Sequence, residues 1–143
     1  MEIPKIVNNL VQKFETRDPF KILKSLDVIL VYYPLNSVNG FYQYFQRNSI
    51  VYIDEQLADS EAMLVCAHEL GHMLLHKKAN AIFLDSRMHF NTCKYEMEAN
   101  RFAMNLLIPN DMIEEHLDFT TAQLSRLLGY NQKLIELRLK DFI

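Results

Sequence analysis

The stretch Val65-Cys66-Ala67-His68-Glu69-Leu70-Gly71-His72-Met73-Leu74 sets two imidazoles and a carboxylate at the spacing His-Glu-x-x-His. On a helix, His68 and His72 stand at i and i+4 and leave one face about one turn apart. That separation suits two nitrogen ligands at about 2.0–2.1 Å from one Zn²⁺. Glu69 projects beside such a metal rather than onto it, where a carboxylate can take a proton from water that the metal activates. A charged surface helix can spell the same motif by accident. Here positions 62–67 and 73–75 carry no charge. The helix therefore reads as buried, and buried histidines and glutamates need partners.

A catalytic zinc requires a third protein ligand and an open position. The longer three-histidine pattern would need Gly at position 75 and His at 78, where the chain has Leu75 and Lys78. His76 lies eight residues from His68, roughly 12 Å along the axis. The two cannot easily share an ion, and His76 reads as a helix-end histidine. A carboxylate from a later helix is the other route. Cys93 to Ile108 has a helical pattern, with Pro109 as its stop. Glu96, Ala99, Asn100 and Ala103 share one face of it, and the alanines let that face lie close against the motif helix. Glu96 then reaches the metal, and Asn100 can hold a ligand histidine by its distal ring nitrogen. Glu98, roughly 200° around the helix from Glu96, points away and is the less favoured alternative. His89, Cys93 and His116 have ligand chemistry, but no partner spacing selects them.

Other elements must position this helix pair. Ile3, Ile6, Val7, Leu10, Val11 and Phe14 form one apolar helical stripe. Asp18 can cap, and Pro19 can open, a second short helix to about Leu26. Val28 to Tyr33, Phe41 to Gln46 and Ile50 to Ile53 read as strands, with Asn39-Gly40 as a hairpin signal between the first two and Arg47-Asn48-Ser49 as a turn between the last two. Short connections predict a three-stranded antiparallel sheet whose edge can pair with an extended peptide or simply cover the motif helix. Asp59 or Ser60 caps the motif helix, which is expected to run to about Lys77. Gly71 inside it costs roughly 1 kcal/mol against Ala unless something approaches closely there.

Beyond Pro109, a short helix over Asp111–Leu117 is expected. Thr120 to Asn131 and Gln132 to Phe142 then resemble the two helices of a helix-turn-helix unit. Lys133, Arg138 and Lys140 on the second helix are offset by Glu136 and Asp141, so DNA reading is not expected and a packing cap or partner contact is. The chain has 143 residues, half of them hydrophobic, a net charge of −3 and two cysteines outside any CxxC pair. That balance excludes disorder and gives no general affinity for nucleic acid. No apolar run is long enough for a membrane span and no signal segment is seen, so the protein is expected in the cytoplasm with reduced thiols.

The pairing of His68-Glu69-Leu70-Gly71-His72-Met73-Leu74-Leu75-His76 with Glu96-Met97-Glu98-Ala99-Asn100-Arg101-Phe102-Ala103 and the following Leu106-Leu107-Ile108-Pro109 resembles the ImmA/IrrE family of metallopeptidases. The likeness extends upstream to Gly40-Phe41-Tyr42 and Ile50 to Asp54. It implies a gluzincin-like site in which His68, His72 and Glu96 hold Zn²⁺ and Glu69 is the general base. It also implies an endopeptidase that cleaves a helix-turn-helix transcriptional repressor and so derepresses a phage, a mobile element or a stress regulon. Asn100 stands where related gluzincins often have Asp, and a neutral amide polarises the ligand histidine less. Tyr95, Tyr52 and His76 are oxyanion donors by type. The expected fold is α+β, a small antiparallel sheet on a zincin-like helical core with a helix-turn-helix-like C-terminal part. It forms one domain over 1–143, with a core at 1–110 and a cap at 111–143. The competing reading is a noncatalytic, metal-containing regulatory protein that contacts a repressor or DNA. An intact Glu69 weighs against it, because binding needs no general base.

Overall fold

A computed structural model describes residues 2–76 and 89–142. The amphipathic stripe forms α1 (Ile3–Phe14) and buries Ile3 and Val7. Asp18 accepts a hydrogen bond from the Phe20 N–H at 2.9 Å and caps α2 (Pro19–Ser25), with Pro19 in the first turn. Three strands follow: β1 (Ile29–Tyr33), β2 (Gly40–Phe45) and β3 (Asn48–Asp54). The motif helix is α3 (Asp59–Leu75) and its partner is α4 (His89–Leu107). Three short helices end the chain: α5 (Asn110–Glu114), α6 (Thr121–Leu128) and α7 (Gln132–Lys140).

The sheet is mixed, not antiparallel. Its order is β1-β3-β2, with β2 antiparallel to β3 and β1 parallel to it. Local turn geometry explains the difference. The hairpin forms after β2, where Gln46 and Arg47 both take positive φ, 48° and 67°. Two such residues make the tight turn whose twist matches a β-hairpin, so β2 and β3 must be neighbours. β1 is left to add to the outer side of β3. The Asn39-Gly40 signal marks a different constraint. A Cβ on Gly40 would stand 2.6 Å from Val65 Cγ1 and 2.7 Å from the Tyr52 carbonyl oxygen. The glycine lets β2 press directly onto α3 beside Glu69. Gly40→Ala is therefore expected to lower unfolding free energy by about 1–3 kcal/mol, as overpacking does; equilibrium denaturation at the wild-type midpoint would refute this.

α3 packs most extensively on α4. Ala99 and Ala103 are fully buried, and the Phe102 ring and Cβ lie 3.0–3.2 Å from where a Gly71 Cβ would be. The glycine that costs helix propensity thus makes room for a fully buried phenylalanine, worth about 1.5–3 kcal/mol in transfer alone. One core cluster joins α1, α2, the inner sheet face, α3 and α4 through residues such as Val7, Leu23, Ile53, Leu70 and Leu106. A second, around Met104, Ile108, Ile113, Leu124 and Ile135, underlies the C-terminal helices. Leu64 and Leu107 touch both clusters.

The C-terminal turn is built from Thr120, which forms a reciprocal capping box with Gln123, and from Gly129 at φ 84°. α7 is fastened to α4 by polar contacts. Asp141 accepts two hydrogen bonds from Arg101, at 3.0 and 2.8 Å, and one from Asn105 at 2.9 Å. Arg138, one of the three basic residues a DNA reader would need, is buried and donates to the Ile108 carbonyl at 2.9 Å. No helix among the described residues is long and apolar enough to cross a membrane.

Candidate metal centre

α3 opens on Asp59 and Glu61 in its first turn, where carboxylates favour the positive end of the helix dipole. Two turns on, His68 and His72 leave one face with their Nε2 atoms 3.1 Å apart. The close fit of α4 brings Glu96 across to both. Its Oε2 lies 3.0 Å from His68 Nε2 and its Oε1 2.8 Å from His72 Nε2. Around a tetrahedral cation with bonds of 2.0–2.1 Å, ligand atoms stand about 3.3 Å apart. Three donors from two helices therefore already converge to within about half an ångström of that spacing. Two imidazoles and one carboxylate are also the donor types that a borderline cation such as zinc prefers. The residues fit a metal.

Glu69 stands in the same cluster but in a different place. Its Oε2 is 3.9 Å from His68 Nε2, beside the point where the other three donors meet. Burial raises its pKa above the usual carboxylate value, against the lowering by His68, His72 and a backbone hydrogen bond from Tyr42 on β2. A carboxylate poised closer to neutrality is suited to taking a proton and giving it back. Glu96 is shifted the other way, well below the usual carboxylate range, by hydrogen bonds from both histidines. His68 is raised: burial opposes this, but its hydrogen bond to Glu96, the charges of Glu69 and Glu96, and its hydrogen bond to Asn100 together outweigh it.

The distal ring nitrogens are occupied too. His68 Nδ1 donates to Asn100 Oδ1 at 2.8 Å, the contact expected from the shared face of Glu96 and Asn100. His72 Nδ1 meets His76 Nδ1 at 3.1 Å, and His76 Nε2 meets Glu98 Oε1 at 3.0 Å. Glu98 therefore does not point away from α3. His76 is the C-cap residue, with φ −127°, so its ring is freed from the helical rotation that the expectation assumed, and it meets the carboxylate. The i, i+4 spacing of His72 and His76 across the uncharged stretch 73–75 is the available signal for the contact between them. Nothing in the sequence marked the Tyr42 bond to Glu69.

The remaining candidates have other surroundings. Tyr52 stacks on Phe41 at 4.3 Å and donates to Gln43 Oε1 on the sheet. Tyr95 packs against the His76 ring at 4.4 Å. Cys93 is exposed, and His116 Nδ1 donates to the Met112 carbonyl. The side chain of His89, with Lys77 and Lys78, lies outside the described residues. Among the described residues, one group of histidine, cysteine and acidic side chains is close enough to hold a metal, that of His68, Glu69 and His72. Glu96, at 2.8 and 3.0 Å from the imidazoles, approaches them more closely than Glu69 does. A cleft of about 390 Å³ opens on the cluster, walled by Val38, Asn39 and Gly40 on one side and by Leu64 and Val65 on the other.

Residues 23–140 match the IrrE N-terminal-like domain. The chain is 33% identical over 147 residues to immunity region protein 2 of Bacillus phage phi105, a match that spans 98% of this chain and 93% of that protein. It is 26% identical over 115 residues to Metallopeptidase ImmA of Bacillus subtilis (strain 168), spanning 79% of this chain and 67% of that one. The matched span takes in the whole sheet, α3 and α4, and with them every donor of the cluster; the chain belongs to the ImmA/IrrE family of metallopeptidases.

Proposed function

We propose that the protein is a zinc-dependent endopeptidase that hydrolyses a peptide bond in a cytoplasmic helix-turn-helix repressor, relieving repression of a phage or mobile element. The observation that carries the proposal is the placing of Glu69: a buried carboxylate of raised pKa, on the wall of a cleft, 3.9 Å from a ligand imidazole and outside the ligand set. A purely binding protein has no use for it. The name of the phage relative, an immunity region protein, supports a repressor as the substrate class.

In this reading His68, His72 and Glu96 hold Zn²⁺, which supplies Lewis acidity and makes water a better acid. Glu69 takes the proton of the attacking water and delivers it to the leaving amine, so one carboxylate serves as base and then acid. The Tyr42 N–H bond and the packing of β2 on α3 keep that carboxylate aimed into the cleft.

The test is incubation of the zinc-loaded protein with purified helix-turn-helix repressors from the same genome. The expected result is cleavage into two discrete fragments, abolished by a chelator and restored by zinc. Tight binding of intact repressor with zinc present and no cleavage would instead favour the noncatalytic reading.

A further inference from the structure

His76 and Glu98 are buried and ionisable, and the reaction above does not use them. The His76 side chain is 2% exposed and that of Glu98 11%. Buried polar groups are retained when they are hydrogen-bonded, and these two are bonded in series. The series has a direction. A carboxylate can only accept, so His76 Nε2 must carry the proton shared with Glu98 Oε1 at 3.0 Å. A neutral imidazole protonated at Nε2 has its lone pair at Nδ1. His76 Nδ1 must then accept from His72 Nδ1 across 3.1 Å. With a metal held between His68, His72 and Glu96, the His72 lone pair would then stand on Nε2, the atom that faces Glu96 and His68. In that metal-bound form the tautomers of both rings would follow from their partners.

We infer that Glu98 and His76 are positioning residues for the metal centre: a carboxylate–histidine chain that fixes the tautomer and ring orientation of His72. The inference rests on reading the site as a metal centre. Each ligand histidine then has its own support, and the supports differ. His68 is held by a single neutral amide, Asn100. His72 is held by an imidazole backed by a negative charge. Outer partners of this kind hold a ligand in place and raise its basicity. The Tyr95 ring, 4.4 Å from that of His76, packs against the chain from α4.

The test reads zinc affinity by competition with a chromophoric chelator, independently of any cleavage. His76→Leu is expected to weaken zinc binding 10–100-fold. His76→Asn, whose amide oxygen can stand near the Nδ1 position and accept from His72, is expected to recover most of that loss. Glu98→Leu is expected to weaken binding in the wild-type background and to add nothing in the His76→Leu background, because the two act through one chain. Wild-type affinity in folded His76→Leu, or fully additive losses in the double variant, would overturn the inference. Should the leucine variants not fold, ¹⁵N NMR of the imidazoles in the zinc-loaded wild-type protein decides. Protons on His72 Nδ1 and His76 Nε2 are expected, and the opposite tautomers would overturn it. Failure of repressor cleavage with this affinity pattern intact would count against the peptidase reading alone.

Discussion

Glu69→Gln is expected to retain one zinc per chain and to lose repressor cleavage by on the order of 10²–10⁴-fold, the usual worth of a positioned general base. The amide keeps the shape of the side chain, so the packing of β2 on α3 near Gly40 is preserved. It can still accept from the Tyr42 N–H through its carbonyl oxygen, but it cannot take a proton from water. The pH profile adds a second readout. Glu69 must be ionised to act, so activity exists above its pKa and is lost as pH falls through it. Burial raises that pKa, so the acid limb of the rate profile is expected at higher pH than an ordinary carboxylate would give. Residual activity of the variant should lack this limb. Cleavage at the wild-type rate by the zinc-loaded variant would remove Glu69 from the mechanism.

The clustering of the candidate site residues is more legible in sequence than the topology of the sheet, for physical reasons. His68, Glu69 and His72 lie on one continuous helix, whose rotation alone brings the ring nitrogens together. Glu96 and Asn100 required only a second helix with a small-residue face, and Ala99 and Ala103 supplied it. The sheet was read less well because strand order depends on where a turn can close. The turn expected at Arg47-Asn48-Ser49 closes one residue earlier, on the positive-φ pair Gln46-Arg47, whereas Asn39-Gly40, expected to join the first two strands, serves a close packing contact. His76 is legible as a helix-end histidine and Glu98 as a second acid, but their contact is not, because it depends on the end of α3, where the backbone leaves helical geometry. Arg138 reads as a surface base in the pattern of α7; its burial goes with hydrogen bonds to the Ile108 carbonyl and the Asn110 side chain that no local pattern encodes.

The two carboxylates of α4 are expected to separate in a single measurement of metal content. Glu96→Ala removes the donor that stands 2.8 and 3.0 Å from the ligand imidazoles. Two histidines alone cannot close a zinc site, which requires three protein ligands and an open position. The variant is expected to emerge from gel filtration without zinc. Its fold should persist, because the Glu96 side chain is 48% exposed and leaves no cavity. Glu98→Ala acts at a distance of one imidazole. It leaves all three donors in place and removes only the charge behind His76, so about one zinc per chain should remain, with affinity lower by about 10–100-fold. Loss of metal from Glu98→Ala with retention by Glu96→Ala would exchange their roles, making Glu98 the ligand and Glu96 a half-exposed acid at the cleft mouth. The charges argue against that exchange. Glu96 is held ionised by two imidazoles, as a ligand carboxylate must be, while the Glu98 contact at 3.0 Å is spent on a histidine whose other nitrogen already faces His72.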